Sequence, residues 1–267
     1  FGPCAELIAN ELFLRPDSEA AEKSGAFGFV KFDSPEFPEY DAQVQSALER
    51  YKKHRRDWRE YGMLNFGDSF GEREVHWTNH EYDFNYGMLI HYLRTGDRDF
   101  YNMARSGAEH SEQIDNSHKN IHFEEDGYWF IHTVGHANNY YPHEMLPASF
   151  ELIKSHIGHI FVQGMAEMYK VTGIEAYRDA VVKCGHSIAR YYTVKYDFLT
   201  EREPGWGMLA LEAAYELTND PFYLNACRII VERVLEKQDK KTGCLKYFMY
   251  KAECEGETGE VVYGGKS

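Results

Sequence analysis

The chain has 267 residues, of which 43% are hydrophobic and 27% charged, a composition that supports a buried core rather than disorder. Its 29 basic residues are outnumbered by 43 acidic ones, for a net charge of −14; a nucleic-acid partner, which needs a basic footprint, is excluded. No apolar run approaches the ~20 residues that span a bilayer, so no membrane partner is expected either.

Residues 1–40 carry short β-like runs at Leu12-Phe13-Leu14 and Phe27-Gly28-Phe29-Val30-Lys31-Phe32, punctuated by Pro16, Pro35 and Pro38. This segment reads as an N-terminal arm, a remnant of a β-domain. The first residue is Phe1 and no signal-peptide pattern is visible, so the chain reads as a piece of something longer. Five cysteines at 4, 184, 227, 244 and 254 contain no CxxC pair, which argues against thiolate zinc and a complete disulfide framework.

From Asp41 the pattern turns helical. Asp41 is placed to cap a helix with apolar positions Val44, Ala47, Leu48 and Tyr51, and Lys52-Lys53-His54-Arg55-Arg56 reads as its solvated face. Helices are predicted over 41–59, 79–94, 97–115, 154–171, 174–193, 206–217 and 220–238. The segment Tyr92-Leu93-Arg94-Thr95-Gly96-Asp97 through Ala104 is echoed at Tyr169-Lys170-Val171-Thr172-Gly173-Ile174 through Ala180. A third copy runs from Tyr215-Glu216-Leu217-Thr218-Asn219-Asp220 through Ala226. In each copy Gly or Asn supplies a left-handed helix end, and the next helix opens at once. Each is therefore the tight corner of an antiparallel hairpin. Short turns on one rim alternate with long connections at 60–78, 116–150 and 194–205 on the other. That alternation predicts an all-α fold, an incomplete (α/α) toroid over 41–267.

In a toroid the N-terminal ends of the inner helices, with the loops before them, converge on one cavity, and loops on a rigid scaffold carry sites. Three segments qualify: 65–83, 132–159 and 203–207. Eight of the 13 histidines fall between 110 and 159, where an even spread gives about two or three. For any one histidine a core or capping role is the ordinary explanation; for the cluster a site is.

Three chemistries compete. His76/His80 and His132/His136 are spaced i, i+4, yet match no named zinc motif. No metal ligand set and no definite cofactor are assigned; calcium stands as the candidate divalent cation. A glycoside hydrolase needs two carboxylates, for which Asp68, Glu72, Glu81, Asp83 and Glu144 are available, although Glu81 and Asp83 also read as helix-start caps. A polysaccharide lyase needs a neutraliser for the uronate carboxylate, a base for the C5 proton and an acid for the leaving oxygen. His80, His136, Tyr140, Tyr141 and His143 are the proton-transfer candidates. Arg73, His76, Asn79, Asn139 and Lys154 are candidates to hold substrate, and Trp77, Trp129 and Trp206 to stack on sugar rings, burial in the core being the alternative for each Trp. The net negative charge opposes a polyanion at long range, but residues 116–159 set two lysines and seven histidines against five carboxylates.

The blocks Tyr61-Gly62-Met63-Leu64-Asn65-Phe66-Gly67-Asp68-Ser69-Phe70-Gly71-Glu72, Trp77-Thr78-Asn79-His80-Glu81-Tyr82-Asp83, Tyr92 to Asp97, and His132-Thr133-Val134-Gly135-His136 with Tyr140-Tyr141-Pro142-His143 occur in order. Together they resemble the rhamnogalacturonan exolyase/YetA-like group over roughly residues 40–265. The resemblance implies a central α/α toroid flanked by β-domains, and exo-acting elimination on a rhamnogalacturonan-like polymer of pectin, or on another uronate polymer. The flanking domains and the later ring helices of that group are missing here. The expected partner is an acidic polysaccharide or oligosaccharide. The site residues rest on the rim geometry rather than on the resemblance. A six-hairpin glycoside hydrolase and a non-catalytic glycan-binding protein are the alternatives.

Overall fold

A computed structural model describes residues 15–28, 36–60, 65–70, 77–78, 80–116, 118, 127, 160–195 and 202–245, with backbone alone for 70, 77, 78 and 191–195. The described residues are all-α but for one two-residue ladder. The helices are α1 (Ser18–Ser24), α2 (Pro38–Asp57), α3 (Phe84–Thr95), α4 (Arg98–His110), α5 (Gln163–Thr172), α6 (Glu175–Lys195), α7 (Arg202–Thr218) and α8 (Pro221–Lys237). The ladder pairs β1 (Ser69–Phe70) with β2 (Trp77–Thr78) in antiparallel register, Ser69 opposite Thr78.

Helices α3/α4, α5/α6 and α7/α8 form three hairpins. Their first helices pack in a row, α3 on α5 and α5 on α7, and each packs on its own second helix. The three corners share one set of hydrogen bonds. Thr95, Thr172 and Thr218 each donate Oγ1–H to the carbonyl four residues back, at 2.7, 2.6 and 2.7 Å. The same oxygens accept the N–H two residues on, at 3.2, 3.3 and 3.2 Å. Gly96, Gly173 and Asn219 sit at φ 68°, 69° and 55° and return their N–H to Tyr92, Tyr169 and Tyr215 at 2.7 Å. Asp97 and Asp220 then cap α4 and α8. The register carries on into the core: Phe100, Tyr177 and Tyr223, each four residues past the left-handed residue, are all buried.

Several boundaries differ from expectation. A helix, α1, lies inside the N-terminal arm, capped by Asp17 through Ala20 N–H at 3.0 Å. It docks on the hairpin array through Ser18 Oγ–H to the Leu93 carbonyl at 2.6 Å. The β-like runs at 12–14 and 29–32 lie outside the described residues. Helix α2 starts at Pro38, because proline suits a helix's first turn. Asp41 therefore does not cap it, and instead pairs with Arg94 at 2.9 Å. Within the basic run Arg55 is turned inward to Glu60 at 3.0 Å and to Ser106 at 2.8 Å, while Lys52 and Lys53 pair on the surface. Beyond α4 the chain widens into a π-turn, Ser111–Asp115, of the kind often found at functional sites.

Candidate functional site at the helix-start rim

The starts of α3, α5 and α7 meet. Asp83, the N-cap of α3, takes the Tyr86 N–H at 3.2 Å within its own helix. Its two oxygens also accept the Gly164 N–H at the start of α5, at 3.2 and 3.1 Å. One carboxylate thus caps two helices. Burial pushes its pKa up to about 6 against the pull of the N–H donors at Gly164, Tyr86 and Gln163. Gly164 is what permits this approach, since a Cβ there would stand 2.4 Å from Asn85 Cβ and 2.5 Å from Tyr86 N. From α7, Arg202 reaches Glu81 at 3.0 Å, and Trp206 meets the Phe161 ring edge-on, centroids 4.7 Å apart.

The turn before α3 is strained. His80, Tyr82 and Asp83 have φ of 57°, 61° and 57°, in the left-handed region that residues with a Cβ avoid. Each end of the turn is pinned. His80 is fully buried. Its Nε2 lies 2.7 Å from the Gly67 carbonyl and must donate there, which makes Nδ1 the acceptor facing Ser111 Oγ at 3.2 Å. Ser111 in turn accepts from Asn85 Nδ2 at 3.1 Å, so Asn85, Ser111, His80 and Gly67 form one directed chain. The other pin is Asp83. Between them Tyr82 is thrown outward and stays 63% exposed. Its ring centroid is 6.5 Å from that of Trp206, and the Arg202 guanidinium lies over it at 5.6 Å.

Behind the turn is a second imidazole. His110 meets His80 edge-on at 5.2 Å, donates Nδ1–H to the Phe66 carbonyl, and places Nε2 3.5 Å from Asp115 and 4.0 Å from Asp68. Burial opposes its charge, but the Asp115 and Asp68 carboxylates outweigh that and lift it to about 9. The opposite holds for His80: burial, helped by the charged His110 beside it, keeps its pKa well below the ordinary value. The pair is thus one cationic and one neutral ring. The 3.4 Å approach of His80 Nε2 to Asp68 is accordingly no ion pair. Glu60 ties α2 to this centre by accepting the Gly67 N–H at 3.1 Å; burial lifts its carboxyl to about 7 although Arg55 opposes this.

Of the expected site residues, the described ones are His80, Trp206 and the backbone of Trp77. Arg73, His76, Asn79, His136, Asn139, Tyr140, Tyr141, His143 and Lys154 lie outside the described residues, as does Trp129. His80 does not face solvent as a proton-transfer group should; both ring nitrogens are engaged in the interior, and its work is to hold the turn. Trp206 is at the rim, partly buried against Phe161. Asp83 is the cap it was read to be. Tyr82, Arg202, Ser111 and Asn85 carry the site without having been singled out. The signal for Tyr82 was its place immediately before a capping Asp, where the chain must turn sharply. Ser111 and Asn85 gave no sequence signal.

Among the described residues no group of three or more His, Cys, Asp or Glu side chains is arranged to hold a metal ion, and no helix is long and apolar enough to cross a membrane. A groove of about 430 Å³ lies elsewhere, between α2 and α4, lined by Lys52, Arg55, Glu60, Asp99 and Ser106. No family model matches the chain, and neither a curated protein nor a solved structure matches it significantly. What the described residues establish is an all-α array of three packed helical hairpins.

Proposed function

We propose that the chain is the α/α-toroid core of a carbohydrate-active enzyme, a polysaccharide lyase that cleaves a uronate-containing, rhamnogalacturonan-like glycan by β-elimination. The observation that carries this reading is the meeting of three helix starts at one rim bearing an exposed Tyr, a Trp and an Arg. In the step itself a base removes the C5 proton, the C4–O bond breaks, the leaving oxygen takes a proton, and a C4–C5 double bond conjugated to the carboxylate remains. His136, Tyr140, Tyr141 and His143 are the proton-transfer candidates. Arg73, His76, Asn79, Asn139 and Lys154 are the substrate-holding ones, with Trp77 and Trp206 for stacking.

Among the described residues the rim carboxylates are already committed, which supports elimination over hydrolysis; Glu72 and Glu144 lie outside the described residues. A glycosidase needs one carboxylic acid and one carboxylate free to face the glycosidic bond. Asp83 spends both oxygens on backbone N–H groups, Glu81 is paired with Arg202, and Asp68 is buried beneath the turn. Incubation with galacturonate and rhamnogalacturonan polymers tests the reading. Growth of the ultraviolet absorbance of an unsaturated uronate is expected; new reducing ends without that absorbance would contradict it.

A further inference from the structure

The strain at His80, Tyr82 and Asp83 has a product: an aromatic ring held in solvent. Folding ordinarily removes a tyrosine ring from water, and a non-glycine left-handed residue persists only where its surroundings enforce it. Here the surroundings do so twice, through the buried His80 ring and the Asp83 carboxylate. The exposed Tyr82 ring stands beside Trp206, which meets Phe161 edge-on, so backbone strain places the one ring and core packing the other. The Arg202 guanidinium lies over one face of the Tyr82 ring at 5.6 Å and leaves the other face for a ligand; its pair with Glu81, closed at 3.0 Å, offers hydrogen-bond donors and acceptors but no net charge.

We infer that Tyr82 and Trp206, with the Arg202–Glu81 pair beside them, form a stacking subsite for an uncharged pyranose ring. Aromatic faces take the C–H face of a sugar, and a neutralised ion pair suits hydroxyls rather than a carboxylate. The inference rests on the glycan reading above and assigns this patch to the neutral residue of such a glycan. It also separates this patch from whatever group neutralises the uronate.

Titration calorimetry with galactotetraose, mannotetraose and xylotetraose as neutral probes, and tetragalacturonate as the acidic one, tests it. At least one neutral probe is expected to bind, with little response to salt. Tyr82→Ala and Trp206→Ala are expected to weaken that binding about tenfold, while Tyr82→Phe, which keeps the ring, preserves it. Far-UV circular dichroism establishes that the variants fold. Wild-type affinity in folded Tyr82→Ala, or no binding of any neutral probe by the native chain, overturns the subsite. Turnover of a uronate polymer, followed in parallel, keeps the two readings apart. Native turnover that Tyr82→Ala leaves intact sinks the subsite alone; neutral-probe binding lost in Tyr82→Ala, without any turnover, supports the subsite and sinks the lyase.

Discussion

The carboxylate of Asp83 and the backbone N–H of Gly164 are 3.2 and 3.1 Å apart through the two oxygens, which welds the start of α3 to the start of α5. Asp83→Ala removes both caps from a buried place and is expected to cost roughly 2–3 kcal/mol in urea unfolding. Its pH signature is specific. The folded pKa, about 6, lies above the ordinary 3.8, so the contribution is fully present below pH 3.8 and is lost as pH rises through 6. Asp83→Asn is therefore expected to flatten the stability profile between pH 4 and 6; an unchanged slope would separate Asp83 from that titration.

Close packing at the same junction gives a contrast between two glycines. Gly164→Ala drives a methyl into Asn85 Cβ at 2.4 Å and Asp83 Oδ1 at 2.7 Å, and is expected to cost about 1–3 kcal/mol or more. Gly87, inside α3, has nothing within 4 Å of where its Cβ would be. Gly87→Ala is expected to stabilise by up to about 1 kcal/mol through helix propensity. Denaturation midpoints of the two variants should move in opposite directions.

The hairpin corners predict an exchange between copies. Gly173 has room for a side chain but a φ of 69°, so Gly173→Ala is expected to cost about 1 kcal/mol through backbone strain alone. Gly173→Asn is expected to cost less, because Asn219 occupies the same conformation in the third corner at φ 55°. Thermal unfolding of both variants checks the order.

His110 governs the alkaline side. Its folded pKa of about 9 exceeds the ordinary 6.5, so its stabilisation is complete below pH 6.5 and is lost as pH rises through 9. Between pH 7 and 9 the native chain is expected to lose roughly 2 kcal/mol on this account. His110→Gln is expected to be less stable at pH 7, because Asp115 and Asp68 lose their buried cation, and to lack that alkaline slope. Urea unfolding across the range reads both effects.

The corners were legible because they are local. A helix end, a left-handed residue and, in two of the three copies, a capping Asp within six positions need no distant partner, and all three copies fold as their sequences suggest. The helix starts were less so. Asp41 looked like a cap, yet Pro38 opened α2 a turn earlier; His80 read as a proton-transfer group at the rim, yet its ring turned inward to a carbonyl 13 positions back and a serine 31 positions on. Those contacts join residues distant in sequence, and periodicity carries no record of them. Tyr82 escaped notice for the same reason: its exposure follows from how both neighbours are tied down, and one of those ties is the Gly164 N–H, 81 positions away.

The lyase reading meets its most direct test in the mass of the products. Elimination adds nothing, so the two fragments released from a defined uronate oligosaccharide sum to the mass of the substrate, and one of them carries the unsaturated sugar. Hydrolysis adds one water to that sum. Mass spectrometry of a complete digest is expected to give fragments that together equal the substrate; fragments heavier by one water would contradict the account.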